Sequence, residues 1–204
     1  MRYDFNHARI LTCPFCRREK YIRTYLSGND IGAEIWSDNQ RIGPMLPRSS
    51  FVQKCPACGK YYTKSGQIND YSEDFLPHYD KEDMTFSEMK EALAQLSVQG
   101  FRDTDEEASV RVAFHRAYND YYYREEKRAV CPEDEELFHD SGLWLIENAI
   151  TDSILKAEFY REIGEFEMAQ SVLDSIEVDG KFKEIVSKIQ SRINNKECAV
   201  FRIR

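Results

Sequence analysis

Cys13-Pro14-Phe15-Cys16 and Cys55-Pro56-Ala57-Cys58-Gly59 decide how this chain reads. A Cys-x-x-Cys turn sets two sulfurs on one side of a tight loop. That is half of the tetrahedron zinc requires, with Zn–S near ~2.3 Å, and a second pair from a distant loop completes it. The proline after the first Cys fixes φ and removes a backbone donor. Gly59, after the last Cys, suits a residue that must turn back with φ > 0. Such loops aim backbone N–H groups at the thiolates and stabilise their charge. The matched spacing predicts one closed, structural Zn²⁺ site with Cys13, Cys16, Cys55 and Cys58 as its ligands.

Two other chemistries use paired cysteines. Disulfides need an oxidising compartment, and residues 1–10 carry Arg2, Asp4, His7 and Arg9 with no apolar core of a secretory signal. The expectation is therefore a reducing cytoplasm. Redox chemistry is the other, since Cys13-Pro14-Phe15-Cys16 looks like a glutaredoxin active-site tetrapeptide. That reading needs a strand before it and a helix after it. Polar and aromatic residues alternate here instead, and the second Cys pair has no role in the scheme.

Working outward, residues 20–27 (KYIRTYLS) alternate Tyr21, Arg23 and Tyr25 with Ile22, Thr24 and Leu26, the period of a strand. Ser27-Gly28-Asn29-Asp30 is turn chemistry, and residues 33–36 can return as a second strand to close a hairpin. Ser37-Asp38-Asn39-Gln40 is another turn. Residues 43–47, Gly-Pro-Met-Leu-Pro, form an irregular apolar loop. Residues 51–54 lead into the second knuckle and 60–63 lead out as a strand.

This arrangement resembles the zinc-ribbon class over about residues 8–66, with two knuckles each followed by strands. The resemblance implies one metal held by Cys13, Cys16, Cys55 and Cys58. The 38 residues between the pairs exceed a minimal ribbon and imply an extended hairpin or a flap around Trp36 and Met45. Ser27-Gly28-Asn29, Trp36-Ser37-Asp38 and Pro44-Met45-Leu46-Pro47 are similar to stretches in ribbons of bacterial proteins. So small an apolar core needs its metal, which contributes on the order of 10 kcal/mol to folding.

Residues 66–83 are polar, hold Pro77 and several acids, and read as a connection. The expected organisation is a ribbon-like domain over 1–70, a linker over 71–84 and a helical domain over 85–204: an α+β chain. Thr85-x-x-Glu88 is a capping box, followed by Phe86, Met89, Leu93 and Leu96 at helical spacing and Gly100 as the stop. Asp103 or Asp105 caps the next helix, whose buried stripe is Val110, Ala113, Phe114, Ala117 and Tyr121. On it, His115 reads as partly exposed and Tyr121-Tyr122-Tyr123 as wedged between helices. Cys131-Pro132 followed by four acids starts a third helix, with Cys131 a small buried residue and Ser141-Gly142 a candidate kink.

Ala157, Tyr160, Gly164, Phe166, Ala169 and Leu173 resemble the small, aromatic and turn positions of a tetratricopeptide repeat. The first-helix Trp position holds Ser153, and the Pro expected after the second helix is Lys181. One matching unit implies a repeat-like helical hairpin, extended by residues 182–193, rather than a superhelix. Residues 198–204 (CAVFRIR) alternate, as a last strand on the ribbon edge or a tail.

The chain has 204 residues and formal net charge -8. Residues 1–64 hold 11 Lys and Arg against 5 Asp and Glu, net +6, and the rest hold 17 against 31, net -14. A Zn²⁺ bound by four thiolates would lower the first figure to +4. No apolar run approaches the ~18 residues of a membrane span. The functional expectation is a non-enzymatic zinc-binding protein that acts as a protein-interaction or assembly module. No Gly-rich phosphate loop, nucleophile elbow or paired-His motif is present. The alternative is a nucleic-acid-associated ribbon using Arg17, Arg18, Lys20, Arg23, Arg41, Lys54, Lys60 and Lys64, with Trp36, Tyr21 and Tyr25 to stack bases.

Overall fold

In the computed structural model, residues 2–46, 50–64, 68–72, 84–124, 131–177 and 180–204 are described, with backbone alone for 2–9, 23–27 and 68–72. Among these residues the fold is α+β: antiparallel strand sets precede six helices. Two units emerge, residues 1–33 with 42–117, and residues 34–41 with 118–204.

The first unit is built on β1 (Arg2–Thr12), which lies between β2 (Glu19–Ser27) and β7 (Ile68–Ser72) in an antiparallel sheet. Leu11 pairs with Lys20 on one side and with Ile68 on the other. A register shift between Asp4 and Ala8 marks an irregularity opposite β2. Three expectations change here. The stretch 2–12 is a central strand that the sequence reading did not assign. The partner of β2 is β1, not residues 33–36. Residues 68–72, within the polar connection, are a strand, while 73–83 lie outside the described residues. In each case hydrogen bonds from a distant segment override weak local propensity.

β5 (Val52–Lys54) and β6 (Tyr61–Thr63) form the hairpin that carries the second Cys pair, with Lys54 opposite Tyr61. Leu11, Cys13, Ile22, Cys55 and Tyr62 are buried as one cluster, so two of the four sulfurs belong to this unit's core. The free edge of β6 is closed by α1 (Phe86–Gln99). Gln95 Oε1 accepts from Tyr61 N at 3.2 Å, and Gln95 Nε2 donates to Tyr61 O at 2.8 Å. A side-chain amide thus takes the place of a neighbouring strand. Tyr61 OH donates to Glu91 Oε2 at 2.5 Å, and Lys54 Nζ is 3.5 Å from Glu88 Oε1. The capping box forms as read, with Glu88 N donating to Thr85 Oγ1 at 3.2 Å and Thr85 N to Glu88 Oε2 at 3.0 Å. Asp103 Oδ1 accepts from Glu106 N at 2.8 Å ahead of α2 (Thr104–Tyr123). His115 is buried, not partly exposed, and burial, then Arg116, brings its pKa down to about 3.

The second unit begins with the turn between β3 (Glu34–Ile35) and β4 (Arg41–Ile42). Residues 201–204 lie along it. Ser37 N donates to Phe201 O at 2.9 Å, Phe201 N to Ser37 Oγ at 3.0 Å and Ile203 N to Ile35 O at 2.7 Å. The C-terminal alternation therefore does pair, with residues 35–37. α3 (Pro132–Asn148) runs unbroken through Ser141-Gly142. Gly142 is there for proximity, since a Cβ would stand 2.5 Å from Ile163 Cγ2. Cys131 is a half-buried N-cap whose Sγ donates to Glu133 Oε2 at 2.5 Å, not a buried filler. α4 (Ser153–Glu162) and α5 (Phe166–Asp174) form a helical hairpin through Gly164, at φ 85°. With α6 (Lys183–Asn194) they bury Ala157, Ala169, Leu173, Ile189, Ile193 and Phe201 together.

Candidate metal centre

Each knuckle repeats one backbone pattern. Arg17 N donates to Cys13 O at 3.0 Å, and Cys13 N donates to Arg18 O at 2.9 Å. Gly59 N donates to Cys55 O at 3.0 Å, and Cys55 N donates to Lys60 O at 2.9 Å. The residue after each second Cys has positive φ, 62° at Arg17 and 71° at Gly59. The glycine fits the conformation read from sequence, and Arg17 adopts it without that advantage.

These turns aim amide N–H groups at the sulfurs: Phe15 and Cys16 toward Cys13, Ala57 and Cys58 toward Cys55, and Arg18 toward Cys16. All four sulfurs lie within 4.8 Å of one another. The closest pairs cross between the knuckles, Cys16–Cys55 at 3.5 Å and Cys13–Cys58 at 3.7 Å. Sulfurs ~2.3 Å from a central Zn²⁺ sit ~3.8 Å apart at tetrahedral angles. The four cysteines are free thiols, with Cys13 and Cys55 buried and Cys16 and Cys58 exposed.

The electrostatics of the donor set fit the same ion. Burial raises the Cys13 thiol despite its two amide donors. At Cys16 the Arg18 N–H favours the thiolate, but burial and the neighbouring sulfurs outweigh it and push the pKa up to about 12. At Cys55 burial opposes ionisation, yet amides and two thiols bring it down to about 7. Sulfurs this close cannot all ionise without a cation to hold them. A closed, all-sulfur set of this size suits Zn²⁺, and it leaves no vertex for an activated water.

The basic and aromatic residues of the alternative reading separate. Lys20 is buried and Lys54 is paired with Glu88. Trp36 is buried in the second unit, 5.0 Å from the Tyr123 ring. Tyr21 donates to Glu19 Oε2 at 2.9 Å. The side chains of Arg23 and Tyr25 lie outside the described residues. Arg17, Arg18 and Lys60 remain exposed beside the cysteines. Phe15, 41% exposed, joins them with Lys60 Nζ 4.7 Å from its ring centroid. The sequence reading passed over Phe15 because a residue between two ligands reads as spacer.

A second polar constellation was not foreseen. Glu158, Arg161 and Glu162 of α4 are buried, and the Arg161 guanidinium pairs with Glu158 at 2.5 Å. Asn119 Nδ2 donates to Glu162 Oε2 at 3.0 Å, and Tyr123 OH donates to Asp38. Burial, then the Glu158 and Asp38 carboxylates, hold the Glu162 acid well above its usual range. The chain matches no known protein-family model, no curated protein and no solved structure. No helix among the described residues is long and apolar enough to cross a membrane.

Proposed function

We propose that this chain is a non-catalytic zinc-binding protein that acts as a protein-interaction or assembly module. The observation that carries the reading is the convergence of four thiol sulfurs, 39 and 45 residues apart in their closest pairs, to 3.5 and 3.7 Å. A centre closed by four sulfurs supplies fold, not chemistry, because catalytic zinc keeps one position for water or substrate. Free thiols throughout the described residues fit a reducing compartment such as the cytoplasm. The helical hairpin and α6 support the reading, because stacked helices are a common scaffold for holding proteins.

Elemental analysis of the purified chain is expected to give one zinc per molecule. Cys13→Ser is expected to lose that zinc together with the strand signals of residues 52–54 and 61–63 in amide exchange. Full metal content and unchanged protection in the variant would sink the site. A stoichiometric complex of the zinc-loaded chain with a protein partner, resolved by gel filtration, is the expected outcome for the module role.

A further inference from the structure

Ion pairing elsewhere in the described chain is the norm for arginine. Arg102 meets Asp103, Arg111 meets Glu107, Arg161 meets Glu158 and Arg202 meets Glu34. The knuckle tips break that habit. Arg17, Arg18 and Lys60 are exposed, and none of the three meets a carboxylate among the described residues. Lys60 Nζ stands 4.7 Å from the centroid of the exposed Phe15 ring, and Arg17 and Arg18 follow that ring two and three residues along the same knuckle. The backbone hydrogen bonds of both knuckles fix where these side chains start.

We infer that the knuckle tips form a binding face for single-stranded nucleic acid, with one base on the Phe15 ring and phosphates on Arg17, Arg18 and Lys60. This rests on the metal reading above, since the centre holds the two tips side by side. Four thiolates around Zn²⁺ leave a charge of -2, but amides of both knuckles face the sulfurs and three side-chain cations exceed it. An exposed ring with one cation against it and two more exposed on the same knuckle matches a strand that offers base faces and phosphates together. An acidic peptide would use the cations and leave the ring idle. A duplex hides its base faces in the stack. A bilayer would take more apolar side chains than one ring.

The test is fluorescence anisotropy of the zinc-loaded full chain with a labelled oligothymidylate of about 15 nucleotides, between about 50 and 200 mM salt. Three phosphate contacts predict a slope of log K against log salt near -2, at ~0.7 per contact on a single strand. Phe15→Ala is expected to weaken binding about ten-fold with the slope unchanged. Arg17→Gly combined with Arg18→Ser keeps the positive-φ turn and is expected to bring the slope to about -0.7. Lys60→Gln, which leaves the turn intact, is expected to reduce it by about 0.7. Absence of binding at the lowest salt, with zinc content normal, overturns this inference and leaves the metal reading standing. Indifference to Phe15→Ala, or equal binding to duplex or to phosphatidylserine vesicles, also overturns it. A wild-type chain that takes up no zinc overturns both.

Discussion

Arg17 and Gly59 occupy the same place in two copies of one turn, and they make a controlled comparison. Both have positive φ, and an added Cβ at Gly59 would meet nothing within 4 Å. Any penalty from Gly59→Ala is therefore backbone strain alone, expected to be about 1 kcal/mol. Arg17→Gly is expected to stabilise by a few tenths to 1 kcal/mol, and metal-loaded denaturation curves check both signs. Glu162 gives the pH prediction. Its raised pKa means the folded chain binds the proton more tightly than the unfolded one. That contribution is complete below the ordinary glutamate range and is lost as pH rises through the folded value. Glu162→Gln keeps the size and the Asn119 contact without the acid. Its stability relative to wild type is expected to grow with pH above about 4.5. A constant difference across that range would show that the carboxyl is not held protonated.

At the scale of elements, Gln95 shows how an edge strand is closed by a single amide. Gln95→Ala strips both partners from the Tyr61 backbone and is expected to cost about 1–3 kcal/mol. Faster amide exchange at Tyr61 would localise the loss. The cysteine turns, the capping box and the helix starts were legible because each is written in residues a few positions apart. β1 was not legible. Arg2, Asp4, Asn6, His7 and Arg9 interrupt its apolar pattern, and its order comes from two strands it meets across long loops. The buried charges of α4 were hidden for the opposite reason. Glu158 and Arg161 at i and i+3 have the spacing of a solvated helix face. They are buried only because distant segments cover them, among them Glu197, whose carbonyl accepts from Arg161 Nη1.

For the molecule as a whole, metal removal is the sharpest experiment, because the two units carry different reporters. Both tryptophans, Trp36 and Trp144, fall in the unit of residues 34–41 and 118–204. All four clustered cysteines fall in the other. Chelation is expected to remove a contribution on the order of 10 kcal/mol from the small cluster of Leu11, Cys13, Ile22, Cys55 and Tyr62. Loss of strand circular dichroism with little change in tryptophan emission is the expected result. A simultaneous collapse of both signals would show that the cation also supports the unit of residues 34–41 and 118–204. The hydrogen bonds between Ser37 and Phe201 span 164 positions and have a consequence for biosynthesis. At ribosomal speeds of about 5–20 residues per second, Ser37 is made roughly 8–33 s before its partner exists. During that interval the nascent turn around Trp36 has one side open, and a chaperone or a misplaced strand from another polysome product can reach it first.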